Sequence, residues 1–159
     1  MLYVDSSALI KRYIREPGSD ALRRRLNEAS LHHPGVFISV VGYAEILATF
    51  ARRLRENPQL KTQTELLREQ FRDDWLFELT QVELAEGVLE FIDGLVERHP
   101  LKGADAIHLA SALWMRDALR LGTHFGPISR SLTFATSDKQ LKNAALSEGL
   151  EVFDPQDKI

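Results

Sequence analysis

The chain has 159 residues, 44% hydrophobic and 27% charged, with 20 Lys and Arg against 23 Asp and Glu and a net charge of −3. That is the size and balance of one globular domain, spanning 1–159, which buries enough surface to fold unaided; disordered, collagenous and coiled-coil chains are excluded. With 0 cysteines, so are disulfide scaffolds, thiolate zinc sites and cysteine nucleophiles, and the net charge leaves room for a local basic patch but not for a strongly basic coat.

No apolar run approaches the roughly 20 residues needed to span a bilayer, and the N-terminus lacks the basic and apolar segments of a secretory signal. The expectation is a cytoplasmic protein with no membrane partner. Leu2-Tyr3-Val4-Asp5 reads as a buried strand ending in an acid. Ser6 or Ser7 can cap a helix to about Ile14, broken by Pro17-Gly18. Ser19 and Asp20 start a second helix with Ala21, Leu22, Leu26 and Ala29 on its apolar side, and His33-Pro34-Gly35 is a turn. Val36 to Val41, rich in β-branched residues, is a second strand. From Gly42 the period becomes helical, with Tyr43, Ile46, Leu47, Phe50 and Leu54 in register, until Asn57-Pro58. An amphipathic helix from about Leu60 to Phe77, carrying Leu66, Leu67 and Phe71, folds back on it as a hairpin.

Glu78 to Val82 reads as a third strand and Ala85 to Glu97 as a helix stopped by His99-Pro100. Gly103-Ala104-Asp105 opens a helix apolar on most sides, and therefore central to the core. Thr123 to Arg130 is a loop. Leu132 to Thr136 is a strand followed by Asp138, Lys139 to Ser147 a helix stopped by Gly149, and Glu151-Val152-Phe153 a last strand. This alternation predicts an α/β fold around a mostly parallel sheet.

In such sheets ligands bind beyond the carboxyl ends of the strands. Asp5 ends the first strand, Asp138 follows the strand Leu132–Thr136, and Glu45 and Asp105 fall in the first turns of their helices. Singly, three have plain explanations: Asp105 is a first-turn Asp, Glu45 a solvated helix residue near Thr49 and Arg52, Asp138 a helix cap. An acid on an apolar central strand, like Asp5, must be paired. Together the four carboxylates repel unless a divalent cation neutralises them, and Mg²⁺ or Mn²⁺ suits such oxygen ligands.

At these residues the sequence resembles a PIN-domain nuclease, in particular a VapC-type toxin of a type II toxin–antitoxin system. VDSSALIKRY resembles the family's first motif, with Asp5 its acid; SVVGYAEILATF the second, with Glu45; KGADAIHLASAL the third, with Asp105; and TFATSDKQLKNAALSEGLEV the last, with Thr136 and Asp138 as its T-x-D pattern. The match runs from Val4 to about Val152. It implies a PIN-domain fold, a parallel sheet between helices with a helical hairpin.

The resemblance also implies metal-dependent endoribonuclease activity. Asp5 and Asp105 would be the chief ligands of Mg²⁺ (or Mn²⁺), Asp138 would assist, and Glu45 would hold a metal-bound water or a second ion. Ser6 and Thr136 would support the Asp5 and Asp138 carboxylates or a phosphate oxygen. The implied partners are an RNA substrate, a VapB-like antitoxin and a second copy in a homodimer. Lys11, Arg12, Arg15, Arg23-Arg24-Arg25 and Arg52-Arg53 either face RNA phosphates or form solvated helix faces. His108, one turn from Asp105, reads as a core histidine or one bonded to the backbone. A receiver domain would place an acidic pair at the first strand, and a dehalogenase-type phosphatase would need Asp where Ser7 stands. The standing alternative is a non-catalytic or non-toxin PIN-like nucleic-acid-binding module.

Overall fold

The computed structural model describes residues 1–31, 35–122 and 131–157. The predicted turn at His33-Pro34 and loop Thr123–Arg130 lie outside them. In chain order the elements are β1 (Leu2–Val4), α1 (Ser6–Tyr13), α2 (Ser19–Ser30), β2 (Val36–Ser39), α3 (Val41–Glu56), a 3-10 turn (Pro58–Leu60) and α4 (Lys61–Phe77). There follow β3 (Thr80–Val82), α5 (Glu86–Arg98), α6 (Gly103–Leu121), β4 (Thr133–Ala135), α7 (Lys139–Ser147) and β5 (Glu151–Phe153).

The five strands form one sheet in the order β3-β2-β1-β4-β5, and every pairing is parallel. The chain winds outward from β1 to β3, then crosses back to β4 beside β1. The reversal makes the β1/β4 seam a topological switch point, where the polypeptide diverges and leaves a crevice.

Strand alternation sends side chains to two cores. Leu2, Val4, Val36, Ile38 and Ala135 pack with Ala8 and Leu9 of α1, Leu22 and Leu26 of α2, Ile46 and Phe50 of α3, and Phe71 of α4. Tyr3, Phe37, Val82 and Phe134 pack on the other face with Val88, Leu95, Leu109, Leu113 and Leu141 from α5, α6 and α7. The sheet is thus sandwiched between α1–α4 and α5–α7, and its buried strands read as apolar runs.

Three local expectations are corrected. The second strand stops at Ser39 and α3 begins at Val41: Val40 and Val41 have β propensity, but helix packing overrides it. Glu45 is therefore the fifth residue of α3, beyond the first turn. Leu66 is 61% exposed, whereas Leu67 and Phe71 do pack; its position points outward from the α3–α4 pair. The cap of α1 is Asp5, not Ser6 or Ser7, since Asp5 Oδ1 accepts the Ala8 N–H at 2.8 Å. Gly18, with φ +91°, starts α2 in the left-handed region, and a Cβ there would stand 2.7 Å from the Pro155 carbonyl oxygen.

Candidate active site

Register places Val4 beside Ala135, so the next residues, Asp5 and Thr136, leave the sheet side by side at the switch point. Asp5 is 2% exposed. Its Oδ2 accepts from Thr136 Oγ1 at 2.8 Å and from Ser7 Oγ at 2.8 Å, and its Oδ1 accepts the Ala8 N–H. Thr136 Oγ1 in turn accepts the Asp138 N–H at 3.0 Å, and Ser7 Oγ accepts the Ser137 N–H at 2.8 Å. These bonds fix the carboxylate before any ligand arrives. Asp138 caps α7 by accepting the Leu141 N–H at 2.9 Å and lies half-buried just beyond. Asp105 stands half-buried in the first turn of α6.

Glu45 enters from α3. Its Oε2 accepts from Ser6 Oγ at 2.6 Å and from His108 Nε2 at 2.8 Å. Two assignments change accordingly. Ser6 holds Glu45, and the serine that holds Asp5 is Ser7, which the sequence reading passed over. His108, 1% exposed, bonds neither apolar packing alone nor backbone but Glu45 and, through Nδ1 at 3.0 Å, the Tyr3 hydroxyl. The adjacent Ser6-Ser7 pair on the first turn after a strand-end acid is the signal that was available for Ser7.

The four acids share one electrostatic neighbourhood. Burial pushes the Asp5 carboxyl above its usual range, and His108 with the Ala8, Ser7 and Thr136 hydrogen bonds opposes this without cancelling it. Burial also raises Asp105, followed by the negative charges of Asp138 and Glu45. For Glu45 burial again acts upward, but the bonds from His108 and Ser6 prevail and hold it below the usual Glu value. The result is an excess of negative charge that a bound cation would relieve.

A groove of about 660 Å³ opens beside these residues, with Ser6, Ser7, Glu45 and Ser137 in its wall. Lys11, Arg52, Arg53 and Lys102 also line it, so it joins acidic and basic chemistry in one cleft. Of the other basic candidates, Arg12 grips Asp74 at 2.9 Å, Arg15 pairs with Asp20 at 3.1 Å, Arg23 donates to the Arg12 carbonyl and Arg25 to Glu28, while Arg24 is exposed away from this groove. Lys11 itself is tied to Glu16 at 2.8 Å.

The donor set suits a hard divalent ion. Carboxylate oxygens dominate it, and Ser137 Oγ is buried with no hydrogen-bond partner among the described residues, an orphan that a hydrated ligand would satisfy. Among the described residues no three His, Asp or Glu side chains are grouped so that they could hold a metal ion. Mg²⁺ needs no such group, because it keeps several waters and is usually held by one or two carboxylates plus substrate phosphates.

Comparison with known proteins identifies the family and the fold. The PIN domain model matches residues 2–146. Ribonuclease VapC46 of Mycobacterium tuberculosis is 33% identical over 158 residues, covering 97% of both chains. Ribonuclease VapC45 of the same organism is 27% identical, covering 96% of this chain and 94% of that one. VapBC2 of Rickettsia felis, solved bound to a DNA fragment from its promoter, superposes with a TM-score of 0.59 at 13% identity over 97% of this chain and 98% of that one, a likeness of fold. With the parallel sheet, the switch-point acids and these relatives in agreement, the chain belongs to the PIN-domain family, as a member of the VapC type.

Proposed function

We propose that this protein is the ribonuclease toxin of a toxin–antitoxin pair, hydrolysing RNA phosphodiester bonds with the help of Mg²⁺ or Mn²⁺. The observation that carries the reading is that Asp105 feels the negative charges of both Asp138 and Glu45, that Asp5 is bonded to Thr136 two residues before Asp138, and that the adjoining groove is lined by Glu45 together with Arg52, Arg53 and Lys102. The VapC ribonucleases it resembles along nearly their whole length support it.

Asp5 and Asp105 would hold the ion, directly or through water, and Asp138 would assist them. A bound divalent ion lowers the pKa of water and neutralises charge that develops on the phosphate. Asp5 contributes rigidity, because Thr136, Ser7 and the Ala8 N–H fix its oxygens. Glu45 uses Oε2 for Ser6 and His108; among the described residues no hydrogen bond falls on Oε1, which is left to orient the attacking water and accept its proton. Arg52, Arg53 and Lys102 draw the RNA backbone along the groove by charge. Attack by water rather than by the ribose 2′-hydroxyl leaves 5′-phosphate and 3′-hydroxyl ends.

The partners follow from the same reading. A VapB-like antitoxin would block the groove, laying a basic side chain among the acids, and the α3–α4 pair offers a helix-binding face. The setting is the cytoplasm and the assembly a homodimer. The experiment is cleavage of bacterial RNA by wild-type protein with Mg²⁺ or Mn²⁺. Loss of cleavage on adding chelator and in Asp5→Asn is expected; cleavage that survives both would refute the mechanism.

A further inference from the structure

His108 belongs to no motif acid, yet the fold surrounds it with polar groups in a definite order. Its Nε2 lies 2.8 Å from Glu45 Oε2 and its Nδ1 3.0 Å from the Tyr3 hydroxyl. The Tyr3 oxygen accepts the Ser39 backbone N–H at 3.1 Å, so the phenol proton is available for Nδ1. Ser111 sends its proton to the Ile107 carbonyl at 2.8 Å and so does not donate to Tyr3. Ser6 sends its proton to Glu45 and so does not protonate Nε2, 3.3 Å away. The Glu45 carboxylate can only accept, so Nε2 carries a proton aimed at it, while Nδ1 meets the Tyr3 hydroxyl.

The chain of contacts is rigid. Tyr3 is stacked on Phe134 with centroids 5.4 Å apart and meets the His108 ring edge-on at 6.0 Å. Gly42 lets α3 approach this closely, since a Cβ there would stand 2.5 Å from Ile38 Cδ1 and 3.5 Å from His108 Cε1. Burial raises the Tyr3 pKa far above its usual value, which keeps the phenol a donor.

We propose that His108 is a positioning residue for RNA cleavage: oriented by the Tyr3 hydroxyl, its Nε2–H clamps Glu45 Oε2 against Ser6 and presents Oε1 to the groove. This rests on the nuclease reading above and adds to it a residue outside the four acids. His108 does not touch substrate; it acts through Glu45, as outer partners act on ligating groups elsewhere.

Two measurements test it. In a long-range ¹H–¹⁵N spectrum of the intact wild-type protein, His108 is expected to carry a proton on Nε2, and Tyr3→Phe is expected to lose that single pattern. A ring without a proton on Nε2, or averaging between tautomers in the wild type, would overturn the assignment. In single-turnover cleavage of one band in total bacterial RNA with Mg²⁺ or Mn²⁺, His108→Leu is expected to lower the rate at saturating enzyme about 10–100-fold. Its half-saturating enzyme concentration should not change. His108→Gln, whose carboxamide N–H reaches the Nε2 position, should recover most of the rate. Folded His108→Leu cutting at the wild-type rate, or losing only affinity, refutes the positioning role. If His108→Leu does not fold, a His108→Gln no faster than Glu45→Gln refutes it instead. Wild-type protein that cuts no RNA refutes the nuclease reading and this role with it; wild-type cleavage matched by His108→Leu refutes this role alone.

Discussion

Thr136→Val removes one hydroxyl from a fully buried position and nearly preserves its shape. That hydroxyl donates to Asp5 Oδ2 at 2.8 Å and accepts the Asp138 N–H at 3.0 Å; valine does neither. A hydrogen bond to a charged group contributes about 1.5–3 kcal/mol, and an orphaned buried N–H costs about 1–3 kcal/mol. The Asp138 N–H lies near half-buried surface and regains some water, so the total is about 3 kcal/mol. For a domain of this length each kcal/mol moves Tm by about 2–4 °C, giving a fall of roughly 6–12 °C. Thr136→Ser keeps the hydroxyl and loses one methyl, about 1 kcal/mol. Thermal unfolding of the three proteins in chelator, followed by circular dichroism, decides the matter. Thr136→Val melting at or above Thr136→Ser would refute the claim that this hydroxyl fixes Asp5.

Phe71 is fully buried among Tyr13, Tyr43, Phe50 and Trp75, with ring centroids 5.5–6.3 Å away; Phe71→Ala is expected to lose about 3–5 kcal/mol in urea unfolding, and a loss near zero would contradict the packing. Asp105→Asn removes a charge repelled by Asp138 and Glu45, so its Tm should stay level or rise while RNA cleavage is lost; a large fall in Tm would tell against the repulsion. For Glu148 burial acts upward, but His99 at 2.8 Å and Arg98 at 3.0 Å prevail and hold its pKa below the usual Glu value. Its folded pKa is thus lower than its unfolded one, and its stabilisation is present above the unfolded value and fades as pH falls through the folded one. Urea midpoints plotted against pH should therefore fall less steeply on the acid side for Glu148→Gln; parallel curves would contradict this.

Most elements are legible because local chemistry and global packing agree. α7 and β5 fall where expected, since Asp138 caps one end of the helix and Gly149, at φ +76°, stops the other. The parallel sheet follows from strands separated by helices, and the edge on which the acids meet follows from that sheet. Where packing decides alone, the sequence is silent or misleading. Val40 and Val41 look like strand but turn into α3, moving Glu45 one residue deeper into its helix. Ser6 and Ser7 are chemically identical neighbours, and only the first turn of α1 sends one to Glu45 and the other to Asp5. His108 lies among apolar residues of a core helix, so nothing in the periodicity reveals that Tyr3, 105 positions away, and Glu45 flank it.

That acids brought from four distant segments to the β1/β4 crevice form a seat for a divalent ion is tested most directly by calorimetric titration of Mn²⁺ into the wild-type protein, Asp5→Asn and Asp105→Asn. Saturable binding by the wild type, weakened at least about tenfold in each variant, is the expected result. No binding by the wild type, or equal binding by all three folded proteins, would contradict it.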